Sequence, residues 1–240
     1  MAAKITHLRQ ATYTPRVRIW QNESLYLFTK RLLDMVLATI ALVLLTPLMA
    51  IIAIAIRLDT TGPILFRQGR VRGDQDSQAK RPEENIFSFL KFRSMYHGVD
   101  QNVHRRYMES LINSKVKANG SGSRYKLLSD RRITRVGRIL RKTSLDELPQ
   151  LINVLRGEMS LVGPRPAIPY EVAQYQPWHT QRLAVAPGIT GLWQTSGRSD
   201  LAFDEMASLD IQYADTRSAW LDLAILLRTI PAVLSAKGAE

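Results

Sequence analysis

Two adjacent carboxylates, Asp146 and Glu147, follow directly on a run of cations, and this is where the 240-residue chain is best equipped for chemistry. The run comprises Arg131, Arg132, Arg135, Arg138, Arg141 and Lys142. Acids beside arginines suit a reaction among phosphates. The position of the cations directly before the two acids is what raises a phosphate role above a merely solvated face. A structural reading competes. Ser144 followed three residues later by Glu147 has the spacing of a capping box, and Leu148, Leu151, Ile152 and Leu155 mark one face of a helix that stops near Gly157. On spacing alone the cap takes precedence. A helix N-terminus also favours ionised carboxylates and phosphate, so the two roles are compatible.

Two further segments are dense in proline and glycine: Met159 to Pro166, which contains Gly163, Pro164, Arg165 and Pro166, and Pro187 to Gln194. Such segments fix irregular backbone, and Arg165 between two prolines is pre-oriented for an anion; alone, Pro-Arg-Pro is a rigid surface turn. Asp74 and Asp76 lie in a polar stretch and read as solvated acids, not as a metal-nucleotide pair. The chain has no cysteine, which excludes disulfides, thiolate metal sites and a Cys nucleophile. His7, His97, His104 and His179 share no metal-ligand spacing.

The formal net charge of +12 points to a polyanionic partner, and 45% hydrophobic residues suffice for a core. Within Arg131 to Lys142, Ile133, Val136, Ile139 and Leu140 recur at steps of three and four and predict an amphipathic helix with a cationic face. Solvation and nucleic-acid binding are the alternatives to a phosphate role there. Aromatic stacking residues are not interleaved, which argues against nucleic acid.

The elements that must position these residues begin with an uncharged run of 22 residues, Met35 to Ile56. A straight helix of that length covers roughly 33 Å, about the hydrocarbon thickness of a bilayer. It starts too far in, and is too long, for a cleaved signal peptide. Pro47 near its middle predicts a break, with Thr46 placed to satisfy a freed carbonyl. Lys30 and Arg31 precede the run while Arg57, Arg67, Arg70 and Arg72 follow it, so both flanks carry the cations expected on a cytoplasmic face. A helix that enters and returns to one face accommodates both flanks; a kinked transmembrane helix is the other reading. Downstream, Ile64 to Phe66 and Ile86 to Phe92 predict strands joined by a polar stretch, and a helix is expected around residues 100 to 115, before a flexible Asn119 to Ser123. The C-terminal stretch from Ala219 to Pro231 is too short and too interrupted by Asp222 and Arg228 to span a bilayer, and predicts an interfacial or core-packing helix.

Taken together, Lys30-Arg31 with Asp34, Thr46-Pro47, Gly62-Pro63, Lys91 to Met95, Thr143 to Leu151, Gly163 to Pro166 and Pro187 to Gln194 closely resemble the bacterial sugar transferase family. These are the monotopic polyprenyl-phosphate phosphoglycosyl transferases, and the resemblance runs from about residue 25 to the C-terminal region. It implies an α+β fold: a mostly helical cytoplasmic domain with a small β element, interfacial amphipathic helices, and a re-entrant membrane helix broken at Pro47. The expected organisation is an N-terminal extension over 1–24, a helix-break-helix over 25–58, and a catalytic domain over 59–240 with a polar insertion near 73–85. No large additional N-terminal domain is evident, so a minimal catalytic form is expected.

The resemblance also implies an activity: transfer of a sugar-1-phosphate from a nucleoside diphosphate sugar, usually a UDP-sugar, to undecaprenyl phosphate, releasing UMP. That would be the first membrane step of glycoconjugate synthesis, at the cytoplasmic face of the bacterial inner membrane. It carries the nucleophile onto Asp146 and the Mg²⁺-binding carboxylate onto Glu147. Arg141 and Arg165, with Pro164 and Pro166, match phosphate and nucleotide contacts; Lys91 and Arg93 fall in the Lys-Phe-Arg motif. Membrane lipids are implied partners, nucleic acid is not, and a homodimer is left open. Two departures stand out: Arg70-Val71-Arg72 is followed by a polar Gly73 to Asn85 stretch longer than in compact members, and Ala214 to Ala219 replaces a more aromatic stretch. The competing class, a non-catalytic basic membrane scaffold, leaves Asp146, Glu147 and the Pro-Arg-Pro turn without a role.

Overall fold

The computed structural model describes residues 23–73, 85–99, 102–113, 130–196 and 201–234. Most of the N-terminal extension, the bulk of the 73–85 insertion with Asp74 and Asp76, and Asn119 to Ser123 lie outside these residues.

The first element, α1 (Glu23–Asp59), is a single helix of 37 residues. It runs without interruption through Pro47, where two helices were expected. Proline removes only its own N–H from the ladder, and the bonds on either side continue it. Thr46 Oγ1 donates to the Leu42 carbonyl at 2.6 Å, one residue before Val43, whose carbonyl is the one that Pro47 frees. By length and composition α1 could cross a membrane. One of its faces, however, packs along the rest of the chain. Ala38, Ala41 and Leu42 meet Phe87, Phe89, Leu151 and Val154. Further along, Leu48, Met49, Ile52 and Ile56 meet Phe92 and Leu140. Its other face stays bare, with Val43 at 68% and Leu44 at 72% exposure.

Strands β1 (Leu65–Val71) and β2 (Ile86–Phe92) form an antiparallel pair in register from Leu65 opposite Phe92 to Val71 opposite Ile86. The second strand has the expected bounds, and the first runs five residues beyond Phe66. Side chains alternate along β2, so Phe87 and Phe89 bury one face toward α1 and Lys91 follows them on that same face. After α2 (Asn102–Asn113) comes α3 (Arg135–Thr143), capped by Thr134, whose hydroxyl accepts from Gly137 N. A short 3-10 turn, Leu145–Glu147, then leads into α4 (Gln150–Leu155).

α4 closes the free edge of β2 with one side chain. Asn153 is fully buried; its Oδ1 accepts from Leu90 N at 3.0 Å and its Nδ2 donates to Ser88 O at 2.8 Å. Left without partners, those strand groups would cost about 1–3 kcal/mol each. Strand β3 (Ser160–Val162) pairs in parallel with β4 (Gly188–Thr190), and α5 (Pro169–Val172) and a 3-10 turn, Pro177–Leu183, lie between them. The two Pro/Gly-rich segments therefore meet. Gly188 is required at the crossing, since a Cβ there would stand 2.1 Å from Gly163 N. Helices α6 (Leu192–Ser196), α7 (Phe203–Thr216) and α8 (Ala219–Leu234) complete the fold.

Polar contacts pin both ends of α1 to this domain. Arg31 donates to the Val154 and Leu155 carbonyls at 2.6 and 2.9 Å, a cation on the C-terminal carbonyls of α4. Asp34 accepts from Leu161 N, and Lys30 pairs with Asp222 of α8 at 2.8 Å. At the other end Asp59 accepts from Val136 N in the first turn of α3. Helix α8 packs on the core along one face, as the core-packing reading expected, and leaves its other face bare. Ile225 is fully buried with Leu221 and Leu226 beside it, while Trp220 at 79%, Leu223, Leu227 and Ile230 are exposed.

Gly137 is where α3 closes on the end of β2: a Cβ there would lie 2.0 Å from the Ser94 carbonyl oxygen. That neighbour is backbone and cannot move aside, so we expect Gly137→Ala to destabilise the fold by about 3 kcal/mol. A lowered thermal midpoint of the solubilised protein checks this, with Gly69→Ala, where the added Cβ meets only the Ile86 side chain at 3.1 Å, as the milder comparison.

Candidate active site

The site is built on a change of chain direction. Ser144 takes φ 58°, the one non-glycine left-handed residue among the described residues, and its N–H donates to the Arg141 carbonyl at the end of α3. Holding a non-glycine residue there costs of the order of 1–3 kcal/mol. Leu145 and Leu148 offset it by packing with Ile56, Phe92 and Leu140. The turn between these two leucines lies against β2 and carries Asp146, buried, beside Glu147, half-buried. The expected capping box is not formed. Ser144 makes no side-chain cap bond, because it ends α3 instead of beginning α4.

Glu147 turns instead to Lys91. The ammonium lies 2.7 Å from Glu147 Oε1 and 3.5 Å from Asp146 Oδ2, so one cation faces both acids. Lys91 also passes 5.6 Å from the Phe89 ring centroid, which the strand's alternation places beside it. Arg141, from the last turn of α3, completes the cluster. Burial pushes its guanidinium pKa down, Asp146 and Asp130 act against that as attractive charges, and Arg165 and Arg132 repel it. It stays protonated all the same. Asp130, unnoticed in the sequence, is bonded through both carboxylate oxygens to Arg132, and those bonds hold its pKa below the usual carboxylate value. The result is a half-buried site with two acids facing one ammonium and arginine charge around them. Such a site suits an anionic, phosphate-bearing ligand.

Arg165 sits in the turn after β3, between the buried Pro164 and Pro166. Its position has a support that the sequence did not announce. Buried Arg182 donates to the Arg165 carbonyl at 3.5 Å, to Tyr175 Oη at 3.0 Å, and to buried Asp210. Burial pushes the Asp210 carboxyl up to about 6, against the opposing pull of Arg182. Arg70, likewise buried, donates to the Pro166 carbonyl at 2.8 Å.

Not every expected site residue joins the cluster. Arg93, one residue past the end of β2, is buried and donates to the carbonyls of Ile56, Thr60 and Thr61. Hydrogen bonds from a charged donor contribute about 1.5–3 kcal/mol each, so this guanidinium is committed to holding the end of α1. Thr46 and Pro47 lie within α1, apart from the acids. Asn153 is buried with Gln150, Leu151 and Val154, off the face that Leu148, Leu151, Ile152 and Leu155 mark, so the periodicity does not signal it. For Arg182 and Asp210, separated by 28 residues, no local pattern exists.

Paired carboxylates facing one ammonium with arginines around them, on a domain whose long apolar helix keeps one face bare, suit a membrane-associated protein with an anionic ligand. Comparison with known proteins sharpens that class. The sequence pattern of the family described as bacterial sugar transferase matches residues 25–236. The chain is 41% identical over 216 residues to the galactosyl transferase CpsE of Streptococcus agalactiae serotype III (strain NEM316), covering 90% of this chain and 44% of that one. It is 38% identical to the exopolysaccharide production protein ExoY of Rhizobium meliloti (strain 1021), covering 87% of each. It is 39% identical to the undecaprenyl-phosphate galactose phosphotransferase of Salmonella typhimurium (strain LT2), covering 88% of this chain and 42% of that one. The chain thus belongs to the bacterial sugar transferase family, and it spans under half the length of several curated relatives it matches.

Proposed function

We propose that this chain is a phosphoglycosyl transferase that moves a sugar-1-phosphate from a UDP-sugar to undecaprenyl phosphate. The observation that carries the reading is the convergence of Asp146 and Glu147 on Lys91 beside Arg141. In the first step an Asp146 oxygen forms a bond to the sugar-bearing phosphorus, and the bond from that phosphorus to the bridging oxygen breaks. UMP leaves with that oxygen and its electron pair. In the second step an oxygen of undecaprenyl phosphate attacks the same phosphorus and releases the Asp146 carboxylate, giving the lipid diphosphate sugar. Splitting the transfer this way means that the two anionic substrates need not occupy the site together. Arg141 and Arg165 offset the negative charge in each step, and Lys91, in contact with both acids, offsets their mutual repulsion.

A divalent ion fits this donor set. Two carboxylates already converge on a single cation, and Mg²⁺ needs only one or two carboxylates when phosphate and water fill its other positions. Glu147, the more exposed acid, would hold it. Bound there, the metal would neutralise the diphosphate and stabilise the departing UMP.

The seat of α1 supports a one-face, monotopic topology. The helix lies along α3, α4 and β2, so a perpendicular span would carry Lys91, Asp146 and Glu147 into hydrocarbon, where each charge is costly. A helix whose bare face alone meets lipid keeps the acids at the headgroup level, where the carrier's phosphate lies. Extracting a lipid of roughly fifty carbons would cost tens of kcal/mol at about 0.8 kcal/mol per CH₂, so the enzyme must go to it. The cytoplasmic face of the inner membrane, where the nucleotide donors are found, is the proposed location.

The test is incubation of the full chain in lipid nanodiscs with Mg²⁺, undecaprenyl phosphate and a panel of labelled UDP-sugars. UMP release with label in a lipid diphosphate sugar is expected for at least one donor. If no donor yields UMP, the chain is a binding scaffold and the proposal fails.

A further inference from the structure

The 3-10 turn Leu145–Glu147 passes into α4 through Leu148 and Pro149, both with helical backbone angles. Along this stretch Asp146, Gln150 and Asn153 follow one another at steps of four and three, the spacing of neighbours on one side of a helix. Both ends of the row face β2. Asp146 Oδ2 lies 3.5 Å from Lys91 Nζ, and Asn153 bonds Leu90 N and the Ser88 carbonyl. Gln150, between them, is 1% exposed, yet its Nε2 has no hydrogen-bond partner among the described residues. Asn153 shows the contrast, since its Nδ2 donates both to Ser88 O and to Glu158 Oε2.

A buried donor without a partner opposes folding, and an apolar side chain of the same shape would remove that cost. Leu148 and Leu151, to either side in the chain, are apolar and pack into the core. An amide among them needs something else to take its N–H. What stands one helical turn away is Asp146. Side chains at that spacing have Cβ atoms about 5–6 Å apart, so a glutamine spans to a phosphoryl group bonded to the aspartate. A second cation at this position would hold Asp146 in an ion pair against attack. A neutral amide leaves the carboxylate free to form a bond and still offers a donor to the phosphate.

We infer that Gln150 is a further catalytic residue, whose amide N–H donates to a non-bridging oxygen of the sugar-bearing phosphate as phosphorus bonds to Asp146. It rests on the reading of Asp146 as nucleophile given above. Charge on those oxygens shifts as the bond to the bridging oxygen breaks, and a donor already fixed beside them stabilises the transition state without having to reorient. Burial in α4 fixes this donor before substrate arrives. Its hydrogen bond is unmet in the free chain and met in the loaded site, so stability and activity are set against each other at this position.

Gln150→Met keeps the length and burial of the side chain and removes the donor. The full chain in nanodiscs is exposed to Mg²⁺ and a saturating UDP-sugar without acceptor, and rapid-quench intact-protein mass spectrometry follows the phosphosugar adduct. The native chain should form the adduct, and Gln150→Met should form it about a hundredfold more slowly, the scale for one donor to a developing anion. The thermal midpoint of the variant should be unchanged or raised, the opposite sign from that of a residue whose amide holds the fold together. A lowered midpoint overturns the inference. So does adduct formation at the native rate, or a loss confined to donor affinity with the saturated rate intact. A native chain that forms no adduct removes the Asp146 reading and this one with it, whereas a native adduct with Gln150→Met unaffected removes only the role of Gln150.

Discussion

Asp146→Asn is expected to abolish transfer, with turnover falling by about four orders of magnitude or more, as for the loss of a covalent nucleophile. The substitution keeps the shape of the side chain and its place in the turn. Leu145 and Leu148, which hold that turn against Phe92 and Leu140, are untouched, and Lys91 retains Glu147 at 2.7 Å. Donor binding should therefore persist while chemistry stops. Two measurements together check this. Binding of the UDP-sugar, followed by titration calorimetry, stays within severalfold of the native chain, and intact-protein mass spectrometry no longer finds a phosphosugar adduct after brief exposure to donor. Full turnover in the asparagine variant would remove Asp146 from the nucleophile's role and return the reading to direct attack by the lipid phosphate.

Glu147→Gln is the second large effect, with an expected loss of two to three orders of magnitude in turnover, the scale on which one charged stabilising contact of a transition state is valued. The glutamine still reaches Lys91 through its carbonyl oxygen but no longer brings a charge to a metal ion. The Mg²⁺ concentration that gives half-maximal rate should rise steeply. An unchanged Mg²⁺ dependence with the same loss of rate would mean that Glu147 serves by holding Lys91, and Lys91→Met would then reproduce the defect. The two acids differ in kind. Replacing the first leaves nothing to form the covalent bond, and replacing the second slows a reaction that still has its nucleophile.

Much of this site could be read along the chain. Asp146, Glu147, Lys91 and Arg141 were identifiable because the chemistry requires acids and cations, and the order of motifs around them is specific. Ser144 shows where such reading stops. A serine three residues before a glutamate has the spacing of a helix cap, yet here the serine ends one helix in a left-handed conformation, and the glutamate faces a lysine 56 residues away. Arg93 shows the same limit from the other side. It stands two residues from Lys91 and shares its motif, but β2 ends at Phe92, and past the strand's end Arg93 turns to the carbonyls at the end of α1 while Lys91 faces the acids.

The sequence by itself determined the uncharged run that became α1, the strand from Ile86 to Phe92, and which side chains could carry phosphate chemistry. These follow from residue type and short periods, which the backbone reads over a few residues. Tertiary structure alone decided that α1 continues through Pro47, that both its ends dock on one domain, and that Ile139 is exposed while Val136 and Leu140 pack inward. It also decided that Asn153, Arg182 and Asp210 hold the strand edge and the Pro-Arg-Pro turn from below. Each of those outcomes depends on which surfaces bury together across long stretches of chain, and burial between distant segments leaves no local period for a sequence to display.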